Sequence, residues 1–334
     1  MEGNTMNTCG IDVSKDTLEV VVRKNKRSQK SKTFENSHEG HFKLINFLIQ
    51  KKVQFICLEA TGSYHFDLAF LISSNNQLNI MVINPKSSNN FAKAMMQRTK
   101  TDASDAEMLA QYAERMDFVE WQAPAIGIIA LRTCGRWLNA SSKELTSLKN
   151  QLHALEVTEV SPEFIIASVK ERIKLIEEDV ISLEKEALRM IKAEEELREK
   201  YEWLISVKGI ADKTAIKLLG ELMVLSTDMT AKQWVAHAGL FPQIVQSGTS
   251  INKQTRIGKA GNRYIRGALY MPALVAAYRD PNISGFYQHL INDNGLKKIQ
   301  ALCAVMRKLL LSIHAMFRTK KPFNGESFYK LEEA

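Results

Sequence analysis

The pattern that most restricts this chain lies in its middle. Leu131, Cys134, Leu138, Leu145, Leu148, Leu152 and Leu155 recur at alternating steps of three and four, with Ser141 filling one slot. After Ser161-Pro162 the pattern resumes through Val169, Ile173, Ile176, Val180, Leu183, Ala187, Met190, Leu197, Tyr201 and Leu204, with an interruption at Glu194. Heptads sustained over this length commit a segment to helix packed on helix. Proline cannot continue a helix, so Val157 to Pro162 reads as a turn between two antiparallel helices forming a coiled-coil hairpin. Its outer face mixes Glu, Lys and Arg and is solvated. A spacer within one chain and an oligomerisation arm both fit. With such a hairpin at its centre, the chain divides into an N-terminal domain over 7–122, the hairpin over 123–202 and a C-terminal domain over 203–330.

The N-terminal segment alternates strand and helix signals. Cys9 to Val13 and Leu18 to Val22 predict a two-stranded hairpin with Ser14 to Thr17 in the turn, and Ser31 to Glu35 a third strand. His41 to Gln50 has helical spacing through Phe42, Ile45, Leu48 and Ile49. Val53 to Leu58 and Leu78 to Ile83 are further strands, with a helix expected from the Ala60 to Tyr64 stretch between them. Asn7 opens the first of these elements, which leaves Met6 as a candidate start. Three strands, helix, strand, helix, strand, helix is the order of a ribonuclease H-like α/β fold.

That order gives four acids a common destination. Asp12 sits in an apolar strand and Glu59 at the end of another. Asp102 and Asp105 are three apart in a helix for which Thr101 is the expected N-cap, so they share a face. Each alone reads as a turn or first-turn acid. Four carboxylates in one small volume need divalent cations, and an oxygen-only donor set suits Mg²⁺ or Mn²⁺. Two such ions clamp the attacking and leaving oxygens of a phosphodiester. Lys15 and Lys100 are candidate phosphate contacts, although a single Lys in a turn is ordinarily solvated.

Charge is unevenly placed. The 334 residues carry 45 Lys and Arg against 37 Asp and Glu, a net +8. Gly239 to Lys330 holds 14 basic and 3 acidic residues, whereas Lys143 to Glu202 holds 10 and 15. The basic surface is C-terminal and suits a polyanionic partner. Cys9, Cys57, Cys134 and Cys303 show no metal or redox spacing and read as reduced core residues. Neither a signal-peptide order nor an apolar run of ~18 residues is evident, so no membrane role is expected.

Within the C-terminal segment, Leu204 to Gly220 reads as helix, glycine turn, helix. This helix-hairpin-helix-like element could hold a backbone phosphate through Lys208, Gly209 and the helix N-terminus. Trp234 to Pro242 ends another helix. Beyond Gln246-Ser247-Gly248-Thr249-Ser250 a basic loop is expected, with Lys253, Arg256, Lys259, Arg263 and Arg266 spaced by small residues, suited to a phosphate backbone. Tyr264 to Tyr278 is an apolar helix anchoring it. A Ser-Gly pair is ordinarily a turn, and His237 ordinarily a helix-face residue.

Taken together, Gly10 to Lys15, Glu59 to Gly62, Lys100 to Ala106, Ala238 to Pro242, Ser247 to Ser250 and Gly258 to Arg263 resemble an IS110-family transposase, in the family's order and over nearly the whole chain. The Gln246 to Ser250 form and the C-terminal helices look more like its IS1111-type branch. The resemblance implies a RuvC-like domain binding Mg²⁺ through Asp12, Glu59, Asp102 and Asp105, and a mainly helical transposase domain with Ser247, rather than nearby Ser250, as nucleophile. It also implies donor and target DNA as partners, a guide noncoding RNA from the element, a dimer or tetramer, and action in the bacterial cytoplasm at the nucleoid. A Piv-type DNA invertase, a RuvC-like hydrolytic nuclease and a non-enzymatic nucleic-acid-binding protein are the alternatives.

Overall fold

The computed structural model describes residues 7–60, 62–97, 99–247, 251–258 and 260–331. The chain divides into two compact units, Met1–Ala123 and Pro124–Ala334.

The first unit is a mixed sheet with helices on both faces. In chain order its elements are β1 (Thr8–Val13), β2 (Thr17–Lys24), the two-residue β3 (Arg27–Ser28), β4 (Lys32–Glu35), α1 (His38–Gln50), β5 (Phe55–Glu59), α2 (Phe66–Ser73), β6 (Asn79–Ile83), α3 (Pro85–Ala94) and α4 (Asp102–Arg115). β2 is antiparallel to β1 and to β4, while β5 runs parallel to β1 and β6 parallel to β5. This is the ribonuclease H-like arrangement that the order of elements anticipates. The helix expected from Ala60 begins only at Phe66, because Gly62, at φ +58°, keeps the chain in a turn.

Alternation along the strands sends apolar side chains to two cores. Ile11, Leu18, Val20, Ile56, Leu58 and Ile80 meet Leu44 and Leu48 of α1 and Leu68 and Ile72 of α2. On the opposite face Cys57, Met81 and Ile83 meet Met108, Leu109 and Ala113 of α4. Gly10 decides how near α4 comes: a Cβ there would lie 1.9 Å from the Ala106 carbonyl oxygen and 2.3 Å from the Ala110 nitrogen. Thr8 Oγ1 donates to the Ala110 carbonyl at 3.1 Å beside it.

The second unit is mainly helical: α5 (Ile126–Glu156), α6 (Glu163–Ala193), α7 (Glu195–Ile205), α8 (Asp212–Leu222), α9 (Ala231–Ala238), the strand pair β7 (Pro242–Ser247) and β8 (Ile251–Ile257), then α10 (Arg263–Arg279), α11 (Pro281–Asn292), α12 (Lys298–Thr319) and α13 (Gly325–Phe328). α5 and α6 form the antiparallel pair, turning at Val157 to Pro162. Leu148, Val169 and Ile173 close its outer part, with Leu145, Leu152, Leu155 and Ile176 against them. Nearer the ends, Leu131, Leu138, Val180, Ala187 and Ile191 join the large core of α7 to α12. Glu194, extended at φ −114° and ψ 124°, separates α6 from α7.

α12 is long and apolar enough by composition to cross a membrane. Its Leu302, Val305, Met306, Leu309, Leu310 and Ile313 are buried in the core, which is sufficient reason for that composition. None of the four cysteines forms a disulfide.

Gly10→Ala should displace α4 from the sheet and cost about 1–3 kcal/mol, the range for an overpacked core. Urea denaturation of the two proteins reads this as a lower midpoint with an unchanged slope.

Candidate functional site

Three elements deliver the four carboxylates. β1 and β5 are in parallel register with Ile11 opposite Leu58, so Asp12 and Glu59 are the next residues of neighbouring strands. Both belong to the face that carries Gly10 and Cys57, the face covered by α4. Asp102 is the first residue of α4, and Asp105 lies three residues on. Thr101 caps that helix as expected. Its Oγ1 accepts from the Ser104 nitrogen at 3.2 Å, and Ser104 Oγ accepts from the Thr101 nitrogen at 2.9 Å.

Two side chains that sequence reading passed over steady the acids. Ser88, buried on α3, donates its hydroxyl to Glu59 Oε2. Gln97 Nε2 donates to Asp105 Oδ1 at 3.2 Å and to Ser104 Oγ at 3.1 Å. Neither sits in a recognisable motif; only the fold aims them at carboxylates. Gly10, the first residue of the Gly10 to Lys15 motif, has a further role that its place inside a strand pattern signals, since a glycine there often marks a close backbone approach.

Electrostatics show that the four acids share one neighbourhood. Burial first, then the charges of Asp102, Asp105 and Glu59, push the Asp12 carboxyl up to about 6, against a smaller pull from Lys100. The donors are all oxygen, and a divalent cation relieves this kind of charge crowding, so the residues fit Mg²⁺ or Mn²⁺ chemistry. As they stand, no three acidic, histidine or cysteine side chains among the described residues converge tightly enough to cage an ion.

In the second unit Ser247 ends β7, paired with Ile251 of β8. The side chains of Ser247 and Lys253 lie outside the described residues, and so do the whole of Ser250 and Lys259. The expected basic loop is in its first half a strand: Lys253 and Arg256 stand on β8, paired with Val245 and Gln243. Backbone hydrogen bonds hold this polar ribbon, so it lacks the alternating apolar signal by which strands are recognised.

The root of the ribbon is tightly built. The Gly258 nitrogen donates to the Phe241 carbonyl at 2.9 Å and the Asn262 nitrogen to the His237 carbonyl at 2.7 Å. Gly239 and Gly261 have φ +66° and +135°, and a Cβ on Gly261 would lie 2.2 Å from the His237 carbonyl oxygen. Asn262 caps α10 through its Oδ1, and its Nδ2 donates to Glu221 Oε2 at 2.6 Å. Glu221, on α8 and 2% exposed, also pairs with Arg136 at 2.6 Å and Arg132 at 3.3 Å, both from α5. Burial works to raise this carboxyl, but the Arg136 bond, the Arg132 charge and the Asn262 bond outweigh it and hold Glu221 below its ordinary value.

The remaining expected phosphate contacts are divided. Arg256 and Arg263 are exposed, Arg263 donating to the Tyr264 hydroxyl at 3.3 Å. Arg266 is half-buried and donates to the Ala238 carbonyl at 2.8 Å. Lys208 Nζ donates to the Arg279 carbonyl at 3.3 Å, and Gly209, at φ +96°, lies against Pro272. His237 is half-buried, and burial lowers its pKa.

Residues 9–159 match a family described as a transposase, the DEDD transposase of IS110, and residues 201–288 match the transposase IS116/IS110/IS902 family. The pilin gene-inverting protein of Moraxella bovis is 28% identical over 320 residues, covering 94% of this chain and 97% of its own. That of Moraxella lacunata is also 28% identical over the same shares. An uncharacterised protein of insertion element IS110 from Streptomyces coelicolor is 30% identical over 115 residues, 34% of this chain and 28% of its own. Among solved structures, T. thermophilus RuvC in complex with a Holliday junction substrate aligns with a TM-score of 0.26 at 12% identity, over 33% of this chain and 95% of its own.

A raised carboxyl pKa means that the ionised acid is costly in the folded state. The cost is absent near pH 4, grows as pH rises through about 6, and is complete above it. Asp12→Asn should therefore stabilise the metal-free protein at pH 7.5 by about 1–2 kcal/mol, discounted for partial solvation, with no gain at pH 4. Glu221→Gln should lose about 3 kcal/mol, since it leaves two arginines without their buried partner. Thermal unfolding in the two buffers checks both.

Proposed function

The chain belongs to the IS110 family of transposases, and from that premise we propose that it cuts and rejoins DNA by serine attack on a phosphodiester. The observation that carries this reading is the gathering of Glu59, Asp102 and Asp105 around Asp12, in a chain that also bears the family's C-terminal domain. Asp12, Glu59, Asp102 and Asp105 would hold Mg²⁺ or Mn²⁺, and the bound cation would supply Lewis-acid polarisation of the scissile phosphate.

Ser247 is the nucleophile. Its Oγ bonds to phosphorus, the strand's own P–O bond breaks, and the departing DNA oxygen leaves as a hydroxyl with the proton the serine gave up. The product is a phosphoserine link that conserves the bond energy for rejoining to a new hydroxyl. Arg256 of β8 and Arg263 at the start of α10, together with Lys253 and Lys259, contact the backbone of donor and target DNA. The glycine turn between α7 and α8 acts as a helix-hairpin-helix-like element, and the α5 and α6 pair as a coiled-coil arm between subunits of a dimer or tetramer. An element-encoded noncoding RNA guides pairing, as the family resemblance implies, and the site of action is the cytoplasmic nucleoid.

A second reading is inversion of a DNA segment. It is favoured by the match to pilin gene-inverting proteins over 94% of the chain, and it uses the same residues. A hydrolytic nuclease differs in chemistry, because water attacks and Ser247 is idle.

Denatured protein recovered from Mg²⁺, element-end DNA and RNA transcribed from the flanking noncoding region should carry a nucleotide adduct on the Ser247 peptide. Mass spectrometry should find none on Ser247→Ala. Cut DNA with no adduct on the unaltered protein would favour hydrolysis. A plasmid carrying inverted element ends separates the two recombinase readings, inversion without excision supporting the invertase.

A further inference from the structure

The Glu221 cluster is one end of a longer charged stripe; at its other end Lys213 pairs with Glu184, while among the described residues Lys143 and Lys217 pair with no carboxylate. Arg132, Arg136, Asn139 and Lys143 follow one another along a single face of α5, at steps of four, three and four. Lys213, Lys217 and Glu221 do the same along α8 at steps of four. The two faces lie side by side because the helices touch through glycines: a Cβ on Gly135 would be 3.2 Å from Lys217 Cα, and one on Gly220 would be 2.7 Å from Arg132 Cα. Gly135, Arg136, Asn139, Lys217, Glu221 and Tyr264 line a cleft along the seam.

At the Glu221 end the arginines are paired. Toward the far end, Lys213 reaches Glu184 at 3.6 Å, and among the described residues Lys143 and Lys217 make no ion pair or hydrogen bond. Lys217 is half-buried. Burial and then the charges of Lys213 and Lys143 lower its pKa. Its ammonium thus gives up water and faces like charges, and among the described residues no carboxylate pairs with it, an arrangement that an added anion would relieve. The stripe also runs on into the root of the serine ribbon. The Arg136 guanidinium lies 4.6 Å from the centre of the Tyr264 ring, and that of Arg263 5.2 Å from it.

We propose that the seam between α5 and α8, with Lys143, Lys217 and Asn139 as its ligating side chains, binds the phosphodiester backbone of a nucleic-acid strand. Arg136 to Lys143 spans about 10 Å at 1.5 Å per residue, about three phosphates of one strand at ~3.4 Å of axis each. The ligand is a run of phosphates. Phosphates carry no sequence information, so the proposed binding is independent of sequence. DNA and RNA both supply this chemistry, and the site goes beyond the serine ribbon and its basic residues.

The test compares the full-length protein with the double variant Lys143→Gln, Lys217→Gln. Fluorescence anisotropy would follow binding to a short labelled DNA duplex and to an RNA stem-loop of similar length, across a KCl series. At low salt the variant should bind about tenfold more weakly, and the slope of log affinity against log salt should fall by about one per lysine removed. A loss on one probe only identifies which nucleic acid uses the seam. Unchanged affinity and slope on both probes would overturn the proposal. The thermal midpoint should hold or rise, since like charges are removed, and a lower midpoint with unchanged salt slope would assign the lysines to the fold instead. Lys143→Arg, Lys217→Arg should retain binding. Ser247→Ala should bind as the unaltered protein does, so this result stands or falls separately from the serine chemistry.

Discussion

Like charges do not assemble by themselves, so the carboxylate site depends on an approach that the rest of the first unit enforces. That approach is the seating of α4 on β1. A strand and a helix ordinarily keep a side chain's width between them, and here the missing Cβ of Gly10 lets the Ala106 carbonyl and Ala110 nitrogen come within the space it would fill. Met108, Leu109 and Ala113 are buried against the sheet by the same movement. Their burial stabilises the pairing, at about 25 cal/mol per Å² of apolar surface, by enough to hold Asp102 and Asp105 near Asp12 and Glu59. The acids are therefore brought together by apolar contacts that lie around them, and the repulsion among them remains.

The second unit treats crowded charge in the opposite way. Glu221 is surrounded by Arg136, Arg132 and Asn262, and its charge is satisfied within the chain. A buried carboxylate with three partners gives little net stability, but it fixes geometry, because each partner comes from a different turn of α5 or from the root of the ribbon. Asn262 is the joint: one face of its amide caps α10 and the other holds Glu221. The strand pair that carries Ser247 thus grows from a tightly hydrogen-bonded base. In the proposed chemistry such a base would set where the serine can reach.

Satisfied and unsatisfied charge divide the molecule's work. The Arg23 guanidinium, buried and paired with Glu114 at 2.8 Å, and the Glu221 cluster are closed on themselves and serve the fold. The Asp12 neighbourhood and the Lys217 seam are open, and each is made costly by like charge of one sign. An excess of oxygen donors suits a metal, and an excess of ammonium groups suits phosphate. In the proposed chemistry, which acts on phosphodiesters with cations, both have a use.

Much of this was legible in the residues alone. The heptads located both long helices and their turn, because a repeat near 3.5 has one periodic solution for burying its apolar stripe, and Thr101 announced the start of α4 through its own capping chemistry. The order of strands and helices indicated the sheet, and the four acids were found by their places in that order. What the sequence could not supply were contacts between residues far apart in it. Ser88 on Glu59, Gln97 on Asp105 and Asn262 on Glu221 are ordinary polar residues until the fold aims them. The β7 and β8 pair is held by backbone bonds that leave no apolar pattern, and the Lys217 seam exists only because two glycines let α5 and α8 touch. Local periodicity and capping are written along the chain and determine its elements; the satisfaction or frustration of a charge depends on which elements meet, and only tertiary structure decides that.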